Sequence, residues 1–209
     1  LAASGIQFTR NTPDMTAASS IAASNAGNYD LHLALHSNAV GSGQQPTVRG
    51  IDAYYYPTSV SGKRFADIAA NNLQLIYPLP GMVKTVPTTR LGEVARVRAP
   101  GVLIELGYHD NPLDADWIRN NINNIAENLV LSLTEYFGIP FNMPQPIQVG
   151  YVSTEGSNLN IRSRPDIGAP IIGKIPNGSE IVIYNRLPEW DLAGYGGVMG
   201  YVSSHYVAV

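Results

Sequence analysis

Glu105 is a carboxylate set inside an otherwise apolar run, Val102-Leu103-Ile104-Glu105-Leu106-Gly107. Such a run reads as a central strand buried on both faces. A buried, unpaired carboxylate is costly or takes up a proton. Its place therefore requires an ion pair, a metal ion or acid–base work. Arg10, Arg96 and Arg98 are the candidate structural partners; a general base is the functional counterpart. Both readings stand at this point.

The histidines are His32, His36, His109 and His205. His36 ends the alternating run Leu31–Leu35 and is followed by Ser37-Asn38, so it falls at the C-terminal end of a strand. In α/β folds that end carries ligand sites. His36 is thus a candidate metal ligand, with a hydrogen-bonded structural histidine as the alternative. His32 and His36 lie four strand residues, about 13 Å, apart. Zinc holds each imidazole at about 2.0–2.1 Å, so a regular strand does not let the pair share one ion. His109 and Asp110 follow Glu105 on a loop, where they line the same site or form a solvated pair.

Several chemistries find no support. No His-Glu-x-x-His motif occurs, and no glycine-rich phosphate loop precedes a helix. The glycines of Gly194-Tyr195-Gly196-Gly197 read as a turn. Cysteine is absent, which excludes disulfides, thiol nucleophiles and thiolate metal sites. A net charge of -3 gives no electrostatic case for nucleic acid. No apolar run reaches the roughly 18 residues of a membrane span. With 44% hydrophobic and 14% charged residues, a packed core is expected.

The elements that must position these residues alternate between strand and helix over residues 1–138. Leu1-Ala2-Ala3-Ser4 reads as the last turn of a helix capped by Gly5. On that reading the rest of the helix, and a strand before it, belong upstream of Leu1, and no signal peptide opens the chain. Ile6–Thr9 reads as a short strand, and Thr12-Pro13 as the start of a helix with the apolar stripe Met15, Ala18, Ile21 and Ala22, ending near Gly27. Strands are expected at Leu31–Leu35, Ile51–Tyr56 and Gly101–Leu106, with a helix at Ser61–Ile76. A long helix follows, capped by Asn111 with Pro112 in its first turn and Asp114 a favourable charge at its start, and ended by Gly138 and Pro140. This pattern predicts an α/β domain with a mostly parallel sheet flanked by helices. Residues 139–147 hold three prolines and read as a linker. From Gln148 to Val209 short alternating runs between Gly-, Pro-, Asn- and Ser-rich turns predict a small all-β barrel of roughly 60 residues.

Two strings carry a family resemblance. Asp30-Leu31-His32-Leu33-Ala34-Leu35-His36-Ser37-Asn38-Ala39 resembles the histidine motif of zinc-dependent N-acetylmuramoyl-L-alanine amidases. Pro100–Asn111, containing Glu105, resembles their catalytic-glutamate motif, and Thr9–Thr12 and Leu91–Val94 keep the family's order. The resemblance covers residues 1–138. It implies that His36 is a zinc ligand and that Glu105 is the base activating the zinc-bound water. The implied reaction cleaves the amide between N-acetylmuramic acid and L-alanine. Asn38 and His109 would contact substrate or the His36 loop. The family usually adds an upstream histidine and glutamate as zinc ligands, and neither has a counterpart here, so the alternative is an inactive wall-binding protein or fragment.

Residues 148–209 resemble bacterial SH3-like domains through Leu159–Pro165, Ile171–Ile175, Asn177-Gly178, Trp190 and Gly200-Tyr201-Val202. Such domains commonly bind wall peptide or glycan, through a face to which Trp190, Tyr184, Tyr195 and Tyr201 are candidates, at least two of them being better suited to the core. Together the resemblances imply a secreted, cell-wall-associated peptidoglycan hydrolase of autolysin or endolysin type. A different metallo-amidase or peptidase on the same fold is the remaining alternative. Oligomeric state is not fixed by the sequence.

Overall fold

The computed structural model describes residues 1–41 and 47–209, which form two compact units, Arg10–Phe137 and the combination of Leu1–Thr9 with Gly138–Val209. In the first unit, α1 (Ala17–Ala26) is followed by β1 (His32–Asn38), β2 (Ile51–Tyr55), α2 (Val60–Gln74), β3 (Val83–Pro87), α3 (Gly92–Ala95), β4 (Gly101–Tyr108), α4 (Pro112–Asn120) and α5 (Ile122–Phe137). Among the described residues the sheet order is β1-β4-β2-β3. The β1–β4 and β2–β3 pairings are parallel, and β2–β4 is antiparallel. The expected α/β architecture holds as a mixed sheet.

One sheet face is closed by apolar burial. Ile51, Ala53, Val102 and Ile104 have no exposed surface, and neither do Phe65, Ala66, Ala69 and Leu73 of α2. α5 packs on α2, where the Phe65 and Tyr136 rings meet edge to face at 5.4 Å and Asn128 Nδ2 donates to the Asn72 carbonyl at 2.8 Å. The opposite face carries a smaller cluster of Ala34, Leu103 and Val94, flanked by Tyr54, Tyr56 and Leu91. Val94 brings α3 onto this face.

Three local expectations are corrected. Ile6–Thr9 forms no strand. α1 starts after Thr16, not Thr12, because Thr16 and Ser19 make a reciprocal capping box, and none of its residues is buried. The long C-terminal helix is two helices. Asn121 ends α4 by donating its side-chain amide to the Trp117 carbonyl at 2.8 Å, a local bond that competes with helix continuation. The Asn111 cap is present, accepting from Leu113 N at 3.0 Å and Asp114 N at 3.4 Å. β3 and α3 were not anticipated.

The second unit is antiparallel. Its strands are β5 (Gln148–Val152), β6 (Leu159–Arg162), β7 (Ile171–Ile175), β8 (Glu180–Arg186), β9 (Trp190–Tyr195), β10 (Val198–Ser203) and β11 (Val207–Ala208), in the order β11-β5-β8-β9-β10-β6-β7. Val152, Leu159, Ile161, Ile175, Ile181, Ile183, Ala193 and Val202 form its core. Gly196 and Gly197 both take positive φ, 58° and 81°, which a two-residue β9–β10 hairpin of the primed type requires. Of the four candidate face aromatics, Tyr201 is core, and Tyr184, Trp190 and Tyr195 are half-buried. Within this unit the turn Ala2–Ser4, capped by Gly5 at φ 81°, reaches the barrel: Asn185 Nδ2 donates to the Ala3 carbonyl at 3.5 Å, and Asn142 N to Ser4 Oγ at 3.0 Å.

Candidate active site

The mixed sheet sets the site by register. His36 on β1 pairs with Glu105 on β4, Glu105 pairs with Asp52 on β2, and Asp52 pairs with Lys84 on β3. Paired residues share a face, so these four side chains form one row across the sheet. The row lies on the face bearing Ala34, Leu103 and α3, toward the C-terminal ends of the parallel strands β1 and β4. Sequence reasoning had placed His36 and Glu105 at strand positions; the structure makes them neighbours.

Glu105 is half-buried, and its Oε2 has no hydrogen-bond partner. Among the described residues no arginine forms an ion pair with Glu105, and Arg98, one of its structural alternatives, engages Asn25 instead. Burial raises the proton affinity of Glu105, the proximity of Asp52 adds to the rise, and His36 and His109 oppose it. A carboxylate with a raised proton affinity and a free oxygen suits a proton acceptor and donor. Asp52 itself accepts a hydrogen bond from Tyr54 Oη at 3.3 Å. Burial first, and then Asp52, pushes the Tyr54 phenol up to about 12.

His36 presents a partly open ring, with 43% of its side chain exposed. Its Nε2 lies 3.0 Å from Glu93 Oε2 on α3. His32, four residues earlier on the same face, has its Nε2 3.8 Å from the other oxygen of Glu93, too far for a hydrogen bond, and its Nδ1 3.0 Å from Ser24 Oγ. Burial lowers the proton affinity of His32, and Glu93 opposes that shift. Both imidazoles thus lie near one carboxylate, and His36 is the one hydrogen-bonded to it.

The loops beyond β1 and β4 are tied together. His109 N donates to the Asn38 carbonyl at 2.9 Å, and His109 Nδ1 lies 3.1 Å from Ser37 Oγ. Asn38 Oδ1 accepts from Ala39 N at 2.8 Å, and Asp110 Oδ2 from Val40 N at 2.9 Å. Asn38 and His109 therefore border the Glu105 end of the row, with His109 exposed.

Behind the row sits Asp114, on the first turn of α4 and with no exposed surface. It accepts from Arg49 Nε at 2.7 Å, Tyr77 Oη at 2.6 Å, Tyr108 N at 3.0 Å and Gly50 N at 3.2 Å. Gly107, at φ 80°, allows the approach, since a Cβ there would lie 3.1 Å from Asp114 Oδ2. This hub locks the start of β2 to the end of β4, and so sets the position of Glu105. Sequence reasoning had read Asp114 only as a favourable charge at a helix start. Glu93 and Asp52 were likewise not singled out. The one available signal was Asp52 as a charge within Ile51-Asp52-Ala53.

As a metal centre the row is partial. A reachable imidazole beside a carboxylate with an unpartnered oxygen is the right chemistry for one zinc ligand and a base. Among the described residues, no group of three or more His, Asp or Glu is arranged to hold a metal ion.

The mixed sheet with flanking helices thus sets a histidine and a glutamate side by side at adjacent strand ends. The family model for N-acetylmuramoyl-L-alanine amidase matches residues 2–135, and the chain belongs to that family. A bacterial SH3 domain model matches residues 157–208. Among solved structures, the catalytic domain of the CD27L endolysin targeting Clostridia difficile is 27% identical, with a TM-score of 0.48, over 56% of this chain and 61% of that one. An N-acetylmuramoyl-L-alanine amidase from Clostridium difficile 630 is 18% identical with a TM-score of 0.51, over 59% of this chain and 66% of that one. The CwlD amidase of Clostridioides difficile, solved in complex with the GerS lipoprotein, is 15% identical with a TM-score of 0.52, over 64% and 71%. The last two share the fold. The chain thus spans somewhat less than two thirds of the first two structures. No curated protein matches it. Among the described residues, no helix is long and apolar enough to cross a membrane.

Proposed function

We propose that this chain serves a zinc-dependent N-acetylmuramoyl-L-alanine amidase, which cleaves the amide between N-acetylmuramic acid and the L-alanine of the stem peptide. The observation that supports it best is the side-by-side placement of His36 and Glu105, with Glu105 Oε2 unpartnered. His36 would supply one ligand to the ion. Bound zinc polarises the scissile carbonyl and lowers the pKa of water toward about 7. Glu105 takes the proton of the attacking water and hands it to the departing L-alanine nitrogen. The apolar strand around Glu105 keeps its proton affinity above that of an exposed carboxylate, which favours the second transfer. Asn38 and His109 border the Glu105 end of the row, where the stem peptide would lie. His36→Ala is expected to lower zinc content and amide hydrolysis together; elemental analysis showing unchanged zinc would remove His36 from the ligand set.

The barrel is proposed to hold the enzyme on peptidoglycan, in an extracellular, wall-associated setting. Trp190 edges a shallow hollow with Pro188, Glu189, Ser203, Ser204 and His205. Its half-exposed ring is suited to a sugar or peptide face. Trp190→Ala is expected to weaken co-sedimentation with insoluble peptidoglycan more than turnover of soluble muropeptides. Equal co-sedimentation of variant and parent would exclude this face.

A further inference from the structure

The Glu93 carboxylate has no assigned part in the chemistry, yet it is almost fully enclosed, with 12% of its side chain exposed. It is held there by design of the local fold. Val94 is buried against Ala34 and Leu103, which pins α3 to the sheet face that bears the histidines. From this anchor Glu93 reaches two rings at once: Oε2 lies 3.0 Å from His36 Nε2, and Oε1 lies 3.8 Å from His32 Nε2. His32 is braced from behind by Ser24 of α1, at 3.0 Å from its Nδ1. Of the two rings only His36 is within hydrogen-bonding distance of Glu93, so the contact links α3 to the partly exposed imidazole on β1.

We infer that Glu93 is a positioning residue for the metal-binding imidazole: it accepts the Nε2–H of His36, fixes the ring's orientation and tautomer, and leaves Nδ1 to face the ion. Metal-ligating histidines generally donate their second ring N–H to such a partner, which orients the ring and raises its basicity as a ligand. A solvent-exposed pair would be worth little, but the enclosure of Glu93 gives this one a defined geometry. The inference rests on His36 being a zinc ligand, and the test separates the two.

Zinc affinity, measured by chelator competition on the whole protein, is compared for the parent, Glu93→Ala, Glu93→Gln and His36→Ala. Histidine-labelled NMR on the metal-free protein reads the Nε2–H of His36 directly. The expected result is a protected, hydrogen-bonded Nε2–H in the parent that is lost in Glu93→Ala. Zinc affinity should fall about 10–100-fold in that variant. Glu93→Gln, whose amide oxygen still accepts, should retain the protected N–H and most of the affinity, and it serves as the variant that keeps the fold. Loss of zinc affinity in His36→Ala but not in Glu93→Ala would overturn the positioning role and leave the zinc reading standing. Unchanged affinity in both variants would overturn both. An Nε2–H that is unprotected in the metal-free parent overturns the positioning role whatever zinc does.

Discussion

Glu105→Gln is expected to lower amide hydrolysis about 10²–10⁴-fold, the usual contribution of a positioned general acid–base, while leaving the fold intact. Glutamine has nearly the same shape, but its neutral amide takes up no proton at neutral pH. The position next to His36 is fixed by the β1–β4 register, not by a contact of the carboxylate, since Oε2 has no partner to lose. The stability consequence has a definite sign. A carboxyl whose proton affinity is raised in the folded state opposes folding once pH exceeds its ordinary value near ~4.3. Removing that charge should leave the melting temperature at neutral pH equal to or above the parent's. A large fall in melting temperature would mean that Glu105 holds the structure together, as the ion-pair alternative required. Full turnover in a well-folded Gln variant would remove Glu105 from the reaction.

Asp114→Ala is expected to do the reverse, with a large loss of stability. The carboxylate is fully buried and gathers two side-chain and two backbone donors. Deleting it strands Arg49 and Tyr77 together with two amide N–H groups. Breaking a buried ion pair by removing one partner costs roughly 3–5 kcal/mol. Burial by itself would raise the Asp114 proton affinity, but the hydrogen bonds from Tyr77, Arg49, Tyr108 and Gly50 outweigh it and hold the pKa below the ordinary value. A depressed folded-state pKa stabilises the protein above the unfolded pKa of ~3.9, and that stabilisation is lost as pH falls through the lower folded value. The gap in stability between parent and variant should therefore be full at neutral pH and shrink only in strong acid. Denaturant titrations over a pH series check this; a gap below about 1 kcal/mol at pH 7 would show that the hub is not holding β2 to β4.

His36 and Glu105 were legible because each interrupts a periodic pattern: a histidine closing an alternating strand, and a charge inside a strand that is otherwise apolar. The second compact unit was legible for a similar reason, its short alternating runs and glycine turns having no helical counterpart. Glu93 and Asp52 were not legible. Asp52 meets Glu105 only because β2 pairs antiparallel with β4, a long-range register that local sequence pattern does not reveal. Glu93 meets the histidines because α3, four residues long, is held by a single buried valine. A helix so short leaves no periodicity to read. The break at Asn121 and the missing strand at Ile6–Thr9 have the same origin. Local pattern permits an element, and a side-chain hydrogen bond or the lack of a pairing strand decides against it.

The most direct test of the central claim is an analysis of the ends released when the protein bearing this chain digests purified peptidoglycan in the presence of zinc. The account predicts new free amino groups on L-alanine, no increase in reducing sugar ends, and loss of those amines in Glu105→Gln. New reducing ends, new amines on residues other than L-alanine, or no released ends at all would contradict it.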